Sequence, residues 1–188
     1  MQKCGMPDRK LLAALLKRAN PSDGDAADQL APWSTDQLAG CHSTLLTLYE
    51  YWDAKRGVRL MPARTDLDPV DLKPVLPKLI LIDVVPDSRR YVYRLVGTQE
   101  VEMRGADPTG KPVAEAYYAE SAGDTARYLD HIARTRQPHL YRGTYQPLRT
   151  RTQHEDVLFL PLSRDGETVN MIMVVSHADW VKDEPRLA

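Results

Sequence analysis

The sequence predicts an α+β fold. Two strand-like runs, LILIDVV at 79–85 and RYVYRLV at 90–96, stand close together around a Pro-Asp-Ser-Arg turn. Several short helical stretches follow, out to Arg136, and three more strand-like runs then close the chain, at 139–146, 154–162 and 168–176. Helices gathered between a strand pair and a strand trio, instead of alternating with single strands, are the α+β arrangement.

Met1 to Asn20 holds a short amphipathic helix, started by Pro7-Asp8, with Leu11, Leu12, Leu15 and Leu16 on one face. At that length it needs a surface to pack on. Residues 20–32 are polar and read as a linker. The expected organisation is a helix and linker at 1–33, a long amphipathic helix at 34–57, a sheet-containing domain at 58–178 and a tail at 179–188.

Ser34 to Arg56 reads as one helix. Ser34 and Gln37 form a capping box. Lys55 and Arg56 complement the negative helix end, and Gly57 stops it. Leu38, Cys41, Leu45, Leu48 and Trp52 recur at helical spacing, widened by Leu46 and Tyr49. The stripe is longer than one sheet face usually needs. A homodimer is therefore expected, with Leu38, Leu45, Leu48 and Trp52 in its interface.

After a connector at 58–65, Asp68 and Pro69 start a short helix to Leu76. The continuous apolar run at 79–85 suits a strand covered on both faces, and it forms a hairpin with 90–96. Gly97-Thr98 breaks that second strand. Thr98 is read as the cap of a helical turn that buries Val101 and stops at Gly105. Asp107 to Gly110 is a turn. Glu120 to Arg136 is a helix with Ala126, Leu129, Ile132 and Ala133 on one face. Arg164-Asp-Gly166 turns between the last two strands.

Strand, Gly-Thr break, helical turn ending in Gly105, polar turn and Gly110-Lys111 follow one another within RYVYRLVGTQEVEMRGADPTGK (90–111). This order resembles the middle of a PAS sensor domain. WDAKRGVRLMPARTDLDPVDLKPVLPKLILIDV (52–84), followed by YRLVGT (93–98), is similar to a bacterial family of small PAS-like proteins. The resemblance covers roughly 52–178. It implies a five-stranded antiparallel sheet in the order 2-1-5-4-3, with helices between strands 2 and 3 leaving a small cavity over one sheet face. The lining expected from it is Arg94, Tyr117, Tyr128, Tyr141, Tyr145, Met171 and Met173. Arg94 is expected to be buried. It would then pair internally with Asp83, Glu100 or Asp107, or hold the carboxylate or phosphate of a small organic acid.

Composition narrows the function. Lys+Arg 25 against Asp+Glu 26 leaves a net charge of −1, which argues against nucleic acid or an anionic membrane as partner. No apolar run is long enough to span a bilayer, and the cytoplasm is the expected location. The two cysteines, Cys4 and Cys41, form no metal pair and no disulfide framework. With no cysteine after Cys41, neither a covalent flavin nor another Cys-linked chromophore is expected. His42, His131, His139, His154 and His177 lack the HxH or HxxxH spacing of a metal site. His131 occupies a region where some PAS domains ligate haem, but it shares a polar face with Arg127 and Arg134, and haem is not expected. Neither a GxSxG elbow nor a phosphate-loop motif occurs.

The expected function is a non-catalytic sensory or regulatory module that binds a small molecule or an unidentified signalling protein. Two alternatives remain. One is an enzyme on a similar scaffold, acting on a small carboxylate or lipid-like substrate and marked by a strongly shifted pKa in its pocket. The other is a structural adaptor whose pocket is filled by its own side chains.

Overall fold

The computed structural model describes residues 32–116, 122–145 and 153–180. The expected N-terminal helix, most of the linker and Tyr117 lie outside the described residues.

The capping box at Ser34 forms, but it starts only a 3-10 turn, Thr35–Leu38. Gly40 then takes a left-handed conformation at φ 78, which L-residues with a Cβ disfavour. The helix restarts as α1, Ser43–Arg56, capped by His42, whose ring nitrogen accepts from the Thr44 N–H. The single helix expected over 34–56 is therefore two pieces joined by a bend. The apolar stripe survives the bend: Leu38, Cys41, Leu45, Leu48 and Trp52 are all buried in the main core.

That placement corrects the expected dimer interface. Leu45 is 0% exposed and Leu38, Leu48 and Trp52 are 7%, 3% and 2% exposed within a single chain. The Trp52 indole N–H donates to the Pro161 carbonyl at 2.9 Å. The stripe is spent on the chain's own sheet, because two layers of covering are what a sheet with apolar residues on both faces requires.

The short helix expected at 69–76 is a run of turns ending in a 3-10 turn, Leu76–Lys78. Pro74 and Pro77 cannot donate to a helical ladder. Strands β1 (Leu79–Val84) and β2 (Tyr91–Val96) form the expected hairpin. Next come α2 (Thr98–Arg104), α3 (Val113–Ala116) and α4 (Ala122–Thr135). The chain closes with β3 (His139–Tyr145), β4 (Gln153–Leu162) and β5 (Met171–Trp180). The strands form one antiparallel sheet in the order β2-β1-β5-β4-β3.

Strand register assigns every side chain to a face, since successive residues alternate. Ile80, Val174, Phe159 and His139 lie in one cross-strand row. The next rows on that face hold Ser176, Val157 and Tyr141, then Glu155 opposite Gly143. Rings of α4 stack here and Glu100 of α2 bonds here, so this is the face beneath α2 and α4. The opposite face carries Leu79, Met173, Val175, Leu158 and Leu160, with Arg142 and His177 further along. It meets the 39–56 segment: Arg142 donates to the Ala39 carbonyl at 2.8 Å, and the His177 and His42 rings stack 3.6 Å apart.

Candidate functional site

The helix α2 begins after Gly97 and stops at Gly105, which is left-handed at φ 71. Gly97, rather than Thr98, is its N-cap. Its inward residue is also different from the expected one. Val101 is half-buried, whereas Glu100 is 4% exposed. A carboxylate so placed must be paired, and Glu100 is. The Ser176 hydroxyl donates to Oε1 at 3.1 Å, and Arg104, one helical turn on, lies 3.6 Å from Oε2. Arg104 also donates to the Tyr93 hydroxyl at 3.4 Å, with its guanidinium over the Tyr93 ring. Burial pushes the Tyr93 phenol up, while the nearby Arg104 pulls it down.

Glu155 of β4 faces the same region. Burial first, and then the Glu100 charge, push its carboxyl up to about 7, with Asp156 adding and Arg104 opposing. Among the described residues it makes no hydrogen bond or ion pair. Arg104 pairs with Glu100 and also acts electrostatically on Glu155.

Beyond this polar end the sheet face beneath α4 becomes aromatic. Tyr128 of α4 lies with its ring 5.3 Å from His139, 5.6 Å from Tyr141 and 6.3 Å from Phe159. His139 is 4% exposed, and its Nε2 is buried without a hydrogen-bond partner. Burial, followed by the charge of neighbouring His131, holds its pKa down to about 4, so it is neutral at physiological pH. On the adjoining side, the Tyr91 hydroxyl donates to Asp130 of α4, which also pairs with Arg90.

The expected lining is divided by this geometry. Tyr128 and Tyr141 do meet under α4. Met171 and Met173 are buried, but parity puts both on the opposite face, the one covered by α1. Tyr145 is on β3, but its side chain is outside the described residues, as is Tyr117.

Arg94 is exposed. In the hairpin, Ile82 pairs with Tyr93 and Leu81 with Leu95, so Arg94 is the extra residue of a β-bulge. The bulge turns the side chain out of the alternation that would have buried it. Among the described residues it has neither the Asp83, Glu100 nor Asp107 partner expected for it. Asp107 instead accepts from Thr109 in its own turn.

Glu155, Ser176 and His139 were not expected in the site, and Glu100 was expected there only as a partner of Arg94. Glu100 and Glu155 carry little signal in sequence, since each sits among charged neighbours. The parity of Glu155 with Val157 and Phe159 was the one available clue.

No group of metal-ligating side chains occurs among the described residues. Cys41 is free and buried on the α1 side, next to Arg142 at 3.0 Å, and so is remote from the cleft face.

The sequence matches the family model of the PAS domain over residues 41–175. No curated protein matches it. Among solved structures it is similar to the sensory box sensor histidine kinase from Vibrio cholerae (18% identity, TM-score 0.45, 61% of this chain and 93% of that one). It is also similar to the PAS domain from Bordetella pertussis BvgS (15%, 0.43, 64% and 92%). A third is the LOV domain from the Erythrobacter litoralis EL346 blue-light activated histidine kinase (11%, 0.40, 55% and 95%). At such identities and TM-scores these likenesses carry no argument about ligand or output. The family match stands on its own and spans well over half of the chain, and with the observed sheet order and intervening helices it shows that the chain belongs to the PAS domain family.

Proposed function

We propose that this chain is a non-catalytic sensory or regulatory module whose cleft, between the sheet and helices α2 to α4, binds a small molecule. The observation that supports the reading is an unsatisfied polar group on the sheet face beneath α4: His139 Nε2, buried with no hydrogen-bond partner, with the half-buried Glu155 carboxylate further along the same face. Buried polar groups are ordinarily hydrogen-bonded, and an exception asks for a group that completes it. Aromatic side chains with a few polar groups among them are the usual make-up of a ligand site. Binding would be transmitted through protein contact to a signalling partner in the cytoplasm. A homodimer of the module would meet through surfaces other than the Leu38–Trp52 stripe. Native mass spectrometry of the purified chain, followed by organic extraction, tests the reading. A stoichiometric small molecule is the expected result. Its absence, together with no thermal stabilisation by any compound class, would remove the reading.

One observation favours an enzyme instead. A cleft carboxyl with a pKa near neutrality is suited to moving protons. Turnover of a bound compound that Glu155→Gln abolishes, while binding persists, would select that alternative.

A further inference from the structure

Charge is segregated along the chain. Five of its 25 basic residues, Lys3, Arg9, Lys10, Lys17 and Arg18, fall within residues 1–18, against one of its 26 acidic residues, Asp8. That stretch carries +4, which leaves −5 for the rest and −1 for the whole. The total alone conceals this asymmetry. On a helical projection of about 100° per residue, Leu11, Leu12, Leu15 and Leu16 share one arc. Lys10 and Lys17 lie opposite, and Arg9 and Arg18 border the leucines, where long side chains can lie along an apolar layer with their charges in water. A basic amphipathic sequence of this kind suits the plane of a lipid interface.

The described fold adds a second apolar element. Val58, Leu60 and Val70 are exposed and share one end of the molecule. Val58 and Leu60 lie on the loop that leaves α1 at Gly57. Val70 lies on the turns that follow. Those turns are drawn to the same helix end by the Lys55–Asp71 ion pair at 3.6 Å and by the Asp68 N–H, which donates to the Tyr51 hydroxyl at 2.8 Å. The carboxylates of this tip are occupied: Asp53 by Arg56, Asp66 by Arg59, Asp71 by Lys55, and Asp68 by the Val70 N–H. The tip thus presents apolar side chains with little charge left over. The N-terminal stretch is within reach of it. Trp33 packs on Tyr49 of α1, with ring centroids 5.5 Å apart. The helix end is roughly 10 Å further on, and the linker at 20–31 can bridge up to about 40 Å.

We infer that residues 8–19 and the tip of Val58, Leu60 and Val70 together attach this chain to an anionic lipid surface. The leucines and the tip enter the interface, and the basic side chains meet the headgroups. The remainder, at −5, is repelled by such a surface, so attachment depends on the N-terminal stretch. This departs from the expectation that the total charge supports, and it is independent of the ligand-binding reading.

The test is flotation of the full chain with vesicles of phosphatidylcholine alone and with vesicles of about one third phosphatidylglycerol. The anionic vesicles are expected to bind at least about tenfold more protein, and high salt should reduce the difference. The double variant Lys10→Glu/Lys17→Glu should lose the preference, and Leu12→Glu/Leu15→Glu should lose binding altogether. Val58→Glu/Val70→Glu should weaken binding severalfold. All three should keep the wild-type urea midpoint, since none alters the described core. No binding to either vesicle would overturn the inference. Undiminished binding in Leu12→Glu/Leu15→Glu would overturn it as well, by leaving only charge attraction. Undiminished binding in Val58→Glu/Val70→Glu would overturn the assignment of the tip. A concentration-dependent dimer that the leucine variant abolishes, without vesicle binding, would give the stretch to a second copy and also overturn the inference.

Discussion

Tyr141 lies over the Cα of Gly143, two residues along the same strand face. A Cβ on Gly143 would sit 2.1 Å from the Tyr141 hydroxyl oxygen and 2.5 Å from its ring carbon Cζ. The clash is with a side chain rather than with backbone, so the ring can shift at the expense of its packing against Tyr128. Gly143→Ala is expected to move Tyr141 while changing stability by less than about 1 kcal/mol, since alanine in a strand also loses less chain entropy than glycine. Shifted tyrosine ring resonances with an almost unchanged urea midpoint would bear this out. Loss of more than about 2 kcal/mol would mean that the ring is locked in place.

Gly97 presents the contrasting case. A Cβ there would lie 2.3 Å from the Pro77 carbonyl oxygen and 2.4 Å from that of Leu76. Both atoms are backbone, and Gly97 is also tied to β1 by its N–H to the Leu79 carbonyl at 2.8 Å. Gly97→Ala should therefore cost about 1–3 kcal/mol through forced displacement. Equilibrium denaturation measures it, and a wild-type midpoint would contradict the close approach.

Leu45 is fully enclosed between α1 and the sheet. Leu45→Ala should cost about 2–5 kcal/mol, the range for a buried leucine left as a cavity. Leu45→Asp should fail to fold. A folded, monomeric Leu45→Asp protein in size-exclusion chromatography would restore the intermolecular stripe.

The two cleft groups predict opposing pH dependences. Glu155 titrates near 7 when folded against 4.5 unperturbed, so the folded state holds its proton longer and this group removes stability as pH rises from about 4.5 to 7. His139 titrates near 4 against 6.5, so the unfolded state takes the proton first and stability is lost as pH falls from about 6.5 to 4. Between pH 4.5 and 6.5 the two slopes oppose one another. Relative to wild type, Glu155→Gln should gain stability with rising pH up to 7 and then level off. His139→Phe should show its largest relative gain at low pH and none above about 6.5. Each slope is bounded by about 1.4 kcal/mol per pH unit, the value for one proton. Denaturant titrations every half unit from pH 4.5 to 8 would show it, and variants that parallel wild type would refute it.

Hydrophobic spacing and turn residues made most of the fold legible. LILIDVV read as a doubly covered strand because both of its faces are apolar, and Gly57 and Gly105 marked helix ends because the chain there adopts positive φ. The site was less legible, for local reasons. The bulge at Arg94 adds one residue to β2, and nothing in YVYRLV announces an interruption of alternation. A one-residue slip exchanges faces, which moved the arginine from the expected pocket to solvent. The same parity separates Met173 from Val174. On α2 the apolar Val101 looked like the inward residue, but the turn after Gly97 brings Glu100 inward, where Ser176 and Arg104, distant in sequence or one turn away, meet it. Gly40 had no apolar pattern around it to betray a bend, since the stripe runs on through it.

The bulge has a bearing on how molecules of this chain meet one another. An outermost strand with free backbone groups invites a foreign strand to add on. Here the chain occupies that rim itself: the Tyr93 N–H donates to the Lys111 carbonyl at 3.1 Å, and the Gly110 N–H donates to the Tyr93 carbonyl at 2.7 Å. Directly beyond, the ladder is broken by a charged, outward-turned arginine. Growth of the sheet across the β2 border is closed by a loop on one half and by a cation on the other.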